Sequence, residues 1–69
     1  MSGIYILKAK NKYGVIQYRV KHCQVFSISE FKDVEPIFSE RFAMEIAMVM
    51  SEKIETDDGV EVKETNKVI

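Results

Sequence analysis

Cys23 is the only thiol in the chain and His22, its neighbour, the only imidazole. These are the residue types that nucleophilic catalysis or zinc binding would use. A nucleophile needs its base within hydrogen-bond reach and a third group to orient that base. Both residues stand at the end of a β-patterned stretch, where consecutive side chains point to opposite faces. The pair is therefore expected to point apart, with Cys23 a small packed hydrophobe and His22 a polar strand-end residue. One Cys and one His supply no zinc spacing. Asp57-Asp58-Gly59 has the residue types of a calcium loop, but no ladder of further ligands follows it, and turn chemistry accounts for it. Glu40 and Glu45 lie five apart, off the i, i+4 spacing that would pair them on a helix. The glycines are isolated, so no phosphate-binding loop is present. The residues name no catalytic group, metal or cofactor and imply no small-molecule substrate. The expectation is a binding protein and not an enzyme.

The elements that would carry a binding surface follow from hydrophobic period. Ile4 to Lys10 is rich in β-formers and ends at Asn11-Lys12-Tyr13-Gly14, a turn in which Gly14 is the natural residue for positive φ. In Val15 to His22, apolar Ile16, Tyr18 and Val20 alternate with Gln17, Arg19 and Lys21, which predicts a half-buried strand. The two strands form a hairpin. Cys23 to Ser29 is still β-like and reads either as a bent continuation or, preferred here, as a third strand. Residues 30–38, which include Pro36, read as a loop. Ser39 is an N-cap candidate with Glu40 in the first turn, and Phe38 is placed to staple onto Ala43. A helix rich in Ala, Met and Glu is predicted over 39–56. Asp57-Asp58-Gly59 ends it, 59–64 alternates again as a final strand, and 65–69 reads as a tail. The fold class is α+β, in two layers. An antiparallel, hairpin-based sheet of three to four strands (β-β-(β)-α-β) carries one helix on one face. The other face is expected to meet water or a partner.

The chain has 69 residues, 46% hydrophobic and 30% charged, which bounds it to one small domain, 1–69, too apolar for intrinsic disorder. A lone thiol with no signal-peptide pattern predicts a reducing compartment, the cytoplasm, and no apolar run is long enough for a membrane span. The net charge of -1 conceals an asymmetry. Residues 1–29 hold Lys8, Lys10, Lys12, Arg19 and Lys21 and no acid, whereas 30–69 hold five bases and eleven acids. Such a division bears on partners, not on fold.

Two surfaces are left over once a core is assigned. At 100° per residue, Phe42, Ala43, Ile46, Val49 and Met50 form the predicted buried stripe, flanked by Ala47 and Ile54. Met44 and Met48 then fall nearly opposite it, one turn apart, beside Arg41 and Glu45. Exposed methionines are either tolerated surface or, because they are flexible and polarizable, a docking ridge for a second copy or another protein. On the hairpin, Tyr5, Leu7 and Ala9 are expected to face the helix. Lys8, Lys10, Arg19 and Lys21 would then share the outer sheet face, either as a solvated, edge-blunting set or as a phosphate-tracking one.

Strands followed by Phe38-Ser39-x-x-x-Ala43 at a helix start resemble the small sheet-plus-helix domains of the AP2 and integrase arm-binding type, over residues 4 to 54. The resemblance implies a sheet lying in a DNA groove, a buttressing helix, and Lys8, Lys10, Arg19 and Lys21 as contacts. The acidic helix and the extra C-terminal strand depart from that pattern. In size and composition the chain is also similar to small host-interaction proteins of phages. The leading expectation is a protein-binding or accessory module, self-associating as a homodimer or docking a partner through Met44, Met48, Glu45 and Arg41. Nucleic-acid binding through the basic residues is the alternative, and inhibition of a basic host protein by the acidic half is a third.

Overall fold

A computed structural model describes residues 1–69. Two strands open the chain, β1 (Gly3–Lys10) and β2 (Ile16–Cys23), paired antiparallel with Lys10 opposite Ile16 and Gly3 opposite Cys23. Asn11 holds the turn between them through both its backbone and its side chain. Asn11 Oδ1 accepts the N–H groups of Tyr13 and Val15 at 2.9 and 3.0 Å, while Gly14 takes φ +78°, which only glycine adopts without strain. A single-turn 3₁₀ helix (Ile28–Phe31), helix α1 (Glu40–Lys53) and strand β3 (Val60–Glu64) complete the chain. β3 pairs parallel to β1 on the side away from β2, so the sheet is mixed and not antiparallel throughout as expected, because α1 carries the chain back along the sheet before β3 begins; its order is β2-β1-β3.

Helix α1 begins where the sequence places it, with Phe42 N–H donating to Ser39 Oγ at 3.2 Å. Phe38 is exposed and Ala43 fully buried, so the expected staple gives way to a different anchor. The buried Tyr18 hydroxyl donates to Glu40 Oε2 at 3.1 Å, tying the first turn to β2. At its other end the chain returns to the start of β1, where Asp57 and Asp58 N–H both donate to the Ser2 carbonyl.

The sheet is apolar on both faces. On the helix side Ile4, Ile6, Tyr18 and Val20 pack with Ala43 and Ala47, joined by Ile37, Ile46, Met50 and Val60. The two alanines are fully buried; their small side chains let the helix lie close on the sheet. On the other side Tyr5, Leu7 and Cys23 pack under Phe31, with Phe26, Ile28, Val34 and Ile69 around them. The rings of Tyr5, Phe26 and Phe31 stand in series, 5.6 Å between successive centroids.

Two expectations are corrected by this second core. Cys23 to Ser29 is not a third strand of a four-stranded sheet: β2 ends at Cys23, and the segment then bends so that Phe26, Ile28 and Phe31 fold back under the sheet. The face opposite the helix is not left to solvent or a partner, because this segment covers it. The terminal residues are tied down as well, since Ile69 N–H donates to the Lys10 carbonyl and Gln17 Nε2 donates to the Ile69 carbonyl.

Candidate functional site

The hairpin register decides where the basic residues go. Ile4 and Ile6 face the helix, so Lys8 and Lys10 lie on that same face; Tyr5 and Leu7 face away from it, with Lys21 and Arg19 as their cross-strand partners. The expected assignment of β1 is thus inverted, and Lys8, Lys10, Arg19 and Lys21 divide between two faces. The physical reason is that β1 is apolar and buried without interruption from Gly3 to Leu7, so that run marks no preferred side. Three of the four are also engaged within the chain. Lys8 Nζ lies 4.0 Å from Glu64, Arg19 Nη1 donates to the Phe31 carbonyl, and Lys21 Nζ meets Glu30 Oε2 at 2.9 Å. The outer face that a DNA groove would need is occupied by residues 26–34.

His22 and Cys23 point apart as expected: His22 pairs with Ile4 on the helix side and Cys23 packs on the other. Burial raises the Cys23 thiol pKa, and Glu30 adds to the rise, the opposite of what an activated nucleophile needs. No three His, Cys, Asp or Glu side chains gather where they could hold a metal ion. Asp58 forms part of a turn, in which Gly59 N–H donates to Thr56 Oγ1 at 3.1 Å.

The helix carries two exposed apolar flanks. Its buried line runs through Ala43 and Ala47, not through Ile46, so the expected core stripe is rotated. Phe42 (54% exposed) and Val49 (50%) emerge from it and, with Ile46, Met50 and Glu45, border an apolar hollow of about 290 Å³. Met44 (37%) and Met48 (57%) lie on the opposite flank. Arg41 Nε and Glu45 Oε1, 3.6 Å apart, form a solvated ion pair on the outer side.

Stereochemistry decides which flank overlooks which strand. Ile4 faces the helix and its N–H donates to the Gly59 carbonyl just before β3. The helix starts near Tyr18 and ends near Ser2, antiparallel to β1. For L-residues and a right-handed helix this geometry turns Met44 and Met48 toward β3, and Phe42 and Val49 toward β2. Because α1 sits mainly over β1 and β2, the helix-side face of β3 is a shelf on which Val62 is 49% exposed.

The two sheet edges differ. The outer edge of β2 is bridged by Ile37, which exchanges two 2.7 Å hydrogen bonds with Tyr18. β3 is an edge strand with β1 as its only neighbour. The chain has no match among protein-family models, curated proteins or solved structures compared with it.

Proposed function

We propose that the chain is a non-catalytic protein-binding module that self-associates, or docks an accessory partner, through the β3-side flank of α1. One observation carries the reading. Met44 and Met48 are exposed on the flank of α1 turned toward β3, where Val62 is itself half exposed, so apolar surface extends from the helix toward an open strand edge. Full burial of a methionine contributes roughly 1.5–3 kcal/mol, a large increment for a domain this small, whose own core is limited. Arg41 and Glu45, on the solvent side of the same helix, form the polar rim. A lone buried thiol suits a reducing compartment, the cytoplasm, and no helix is long and apolar enough to cross a membrane.

The test is the molar mass in solution of the wild type and of a Met44→Lys/Met48→Lys double variant, by sedimentation equilibrium over a wide concentration range. Wild-type association that the variant loses supports the reading. A wild type that stays monomeric at the highest concentration removes self-association and leaves only a heterologous partner to be sought by pull-down. A pull-down repeated with nuclease separates protein partners from nucleic acid.

A further inference from the structure

The open edge of β3 has a charge order that fits itself. Gly59 accepts a hydrogen bond from Ile4, and Thr65 N–H donates to Lys8. In a parallel ladder the N–H and C=O of alternate residues turn toward one neighbour. Glu61 and Lys63 therefore bond to β1, while the backbone groups of Val60, Val62 and Glu64 point outward with no strand beside them. A second copy meeting this edge about a two-fold axis must run antiparallel, because the same patch is used by both.

Electrostatics selects the register. Centring the pair on Glu61 sets Glu61 directly opposite its own copy, and centring it on Lys63 does the same to Lys63; like charges directly opposite are destabilising. Centring it on Val62 sets Glu61 opposite Lys63 of the second copy, twice by symmetry, and Val62 opposite Val62. In this register Val60, Val62 and Glu64 also match outward group to outward group, which an antiparallel ladder requires. The charged pairs lie on the face away from the helix and the valine pair on the helix face, where Met44 and Met48 overlook it. β3 is short and charged, features that discourage indiscriminate edge pairing; the order of its charges favours one partner.

We propose that a second copy of this chain pairs antiparallel along β3, centred on Val62, giving a six-stranded sheet in which Glu61 faces Lys63 of the second copy across the axis and the four methionines close over the valine pair. The proposal rests on the self-associating form of the reading above and names its site and geometry.

Charge reversal tests it. Glu61→Lys alone and Lys63→Glu alone each place like charges opposite one another and are expected to weaken self-association about tenfold or more. An equimolar mixture of the two variants restores opposite charges at both positions, so it is expected to associate like the wild type. The double variant, Glu61→Lys with Lys63→Glu, is expected to do the same. Within one copy Lys63 Nζ already meets Glu61 Oε1 at 2.9 Å on a partly exposed face, so each single variant also loses that pair, and circular dichroism melts verify that each variant is folded. Val62→Pro, which removes an outward N–H, is a second probe and is expected to leave a folded monomer. Single variants that associate like the wild type, while Met44→Lys/Met48→Lys does not, overturn the β3 register and leave the methionine reading standing. Loss in the single variants without rescue in the mixture also overturns it. A strictly monomeric wild type overturns the β3 pairing together with the self-associating form of the reading, and leaves only the heterologous partner.

Discussion

Tyr18 shows how one side chain links three parts of the molecule. Its ring is buried in the helix-side core, its backbone bridges Ile37, and its hydroxyl donates to Glu40 in the first turn of α1. A hydrogen bond to a charged acceptor contributes roughly 1.5–3 kcal/mol. Partial solvation of Glu40 sets the expectation for Tyr18→Phe at the lower end, about 1.5 kcal/mol of lost stability by urea denaturation. A loss below about 0.3 kcal/mol would show that water replaces the bond without cost. Cys23 was legible from its neighbours, since strand alternation alone sends it away from His22. Burial holds its thiol pKa up, which disfavours the reactive thiolate. At pH 8 a disulfide reagent is therefore expected to label native Cys23 at least about tenfold more slowly than the urea-unfolded chain; equal rates would mean that the second core opens freely. The inverted facing of β1 was not legible. Ile4, Tyr5, Ile6 and Leu7 are all apolar and all buried, and a strand buried on both faces shows no period from which a side can be chosen.

At the scale of elements, the hairpin, the capped helix and the last strand are readable because each has a local cause: Asn11 and Gly14 at the turn, Ser39 at the cap, Val60 to Glu64 in alternation. Residues 24–34 are not readable in this way. Val25, Phe26 and Ile28 have the propensity of a strand, but propensity yields to tertiary context, and here the context is an apolar sheet face that needs a cover. Phe31 is the centre of that cover, fully buried beside Tyr5, Leu7 and Cys23. Phe31→Ala is expected to cost about 3 kcal/mol or more and to increase protease cleavage within 24–34, measured by chemical denaturation and limited proteolysis. A cost under about 1 kcal/mol would mean that the segment covers the sheet without stabilising it. The helix bears the complementary expectation. Ala47 is fully buried against the sheet, so Ala47→Leu overpacks that contact and costs about 1–3 kcal/mol. The helical wheel found the amphipathic helix but misplaced its centre, because the small alanines, not the bulky Ile46, mark the line of closest approach.

At the scale of the whole molecule the sheet is a partition between two small cores, and each contains one buried tyrosine. Tyr5 lies on the side of the 3₁₀ segment and Tyr18 on the side of the helix. Burial raises both phenol pKa values above their usual value of about 10, with Asp58 adding to the rise at Tyr5 and Glu40 at Tyr18. Cys23 shifts upward by burial, and Lys63 shifts upward through its hydrogen bond to Glu61. All four groups thus hold their protons more tightly in the folded state than in the unfolded one. A group of this kind contributes stability that is fully present below its unfolded pKa and is lost as pH rises through its folded pKa. The contribution of these groups is therefore constant at neutral pH, begins to decline near the ordinary thiol range at about 8.5, and falls more steeply once the unfolded tyrosines ionise near 10. Thermal melts between pH 7 and 11.5 at fixed ionic strength, followed by circular dichroism and by tyrosinate absorbance, are expected to show Tm falling through this window. Ionisation of the two buried tyrosines is expected to coincide with unfolding of both cores. In a Tyr5→Phe/Tyr18→Phe variant, compared with itself at pH 7, the decline above pH 10 is expected to be shallower. A Tm that stays level to pH 11.5, or a variant that declines as steeply as the wild type, would show that the tyrosines are not the groups that couple proton loss to opening of the sheet.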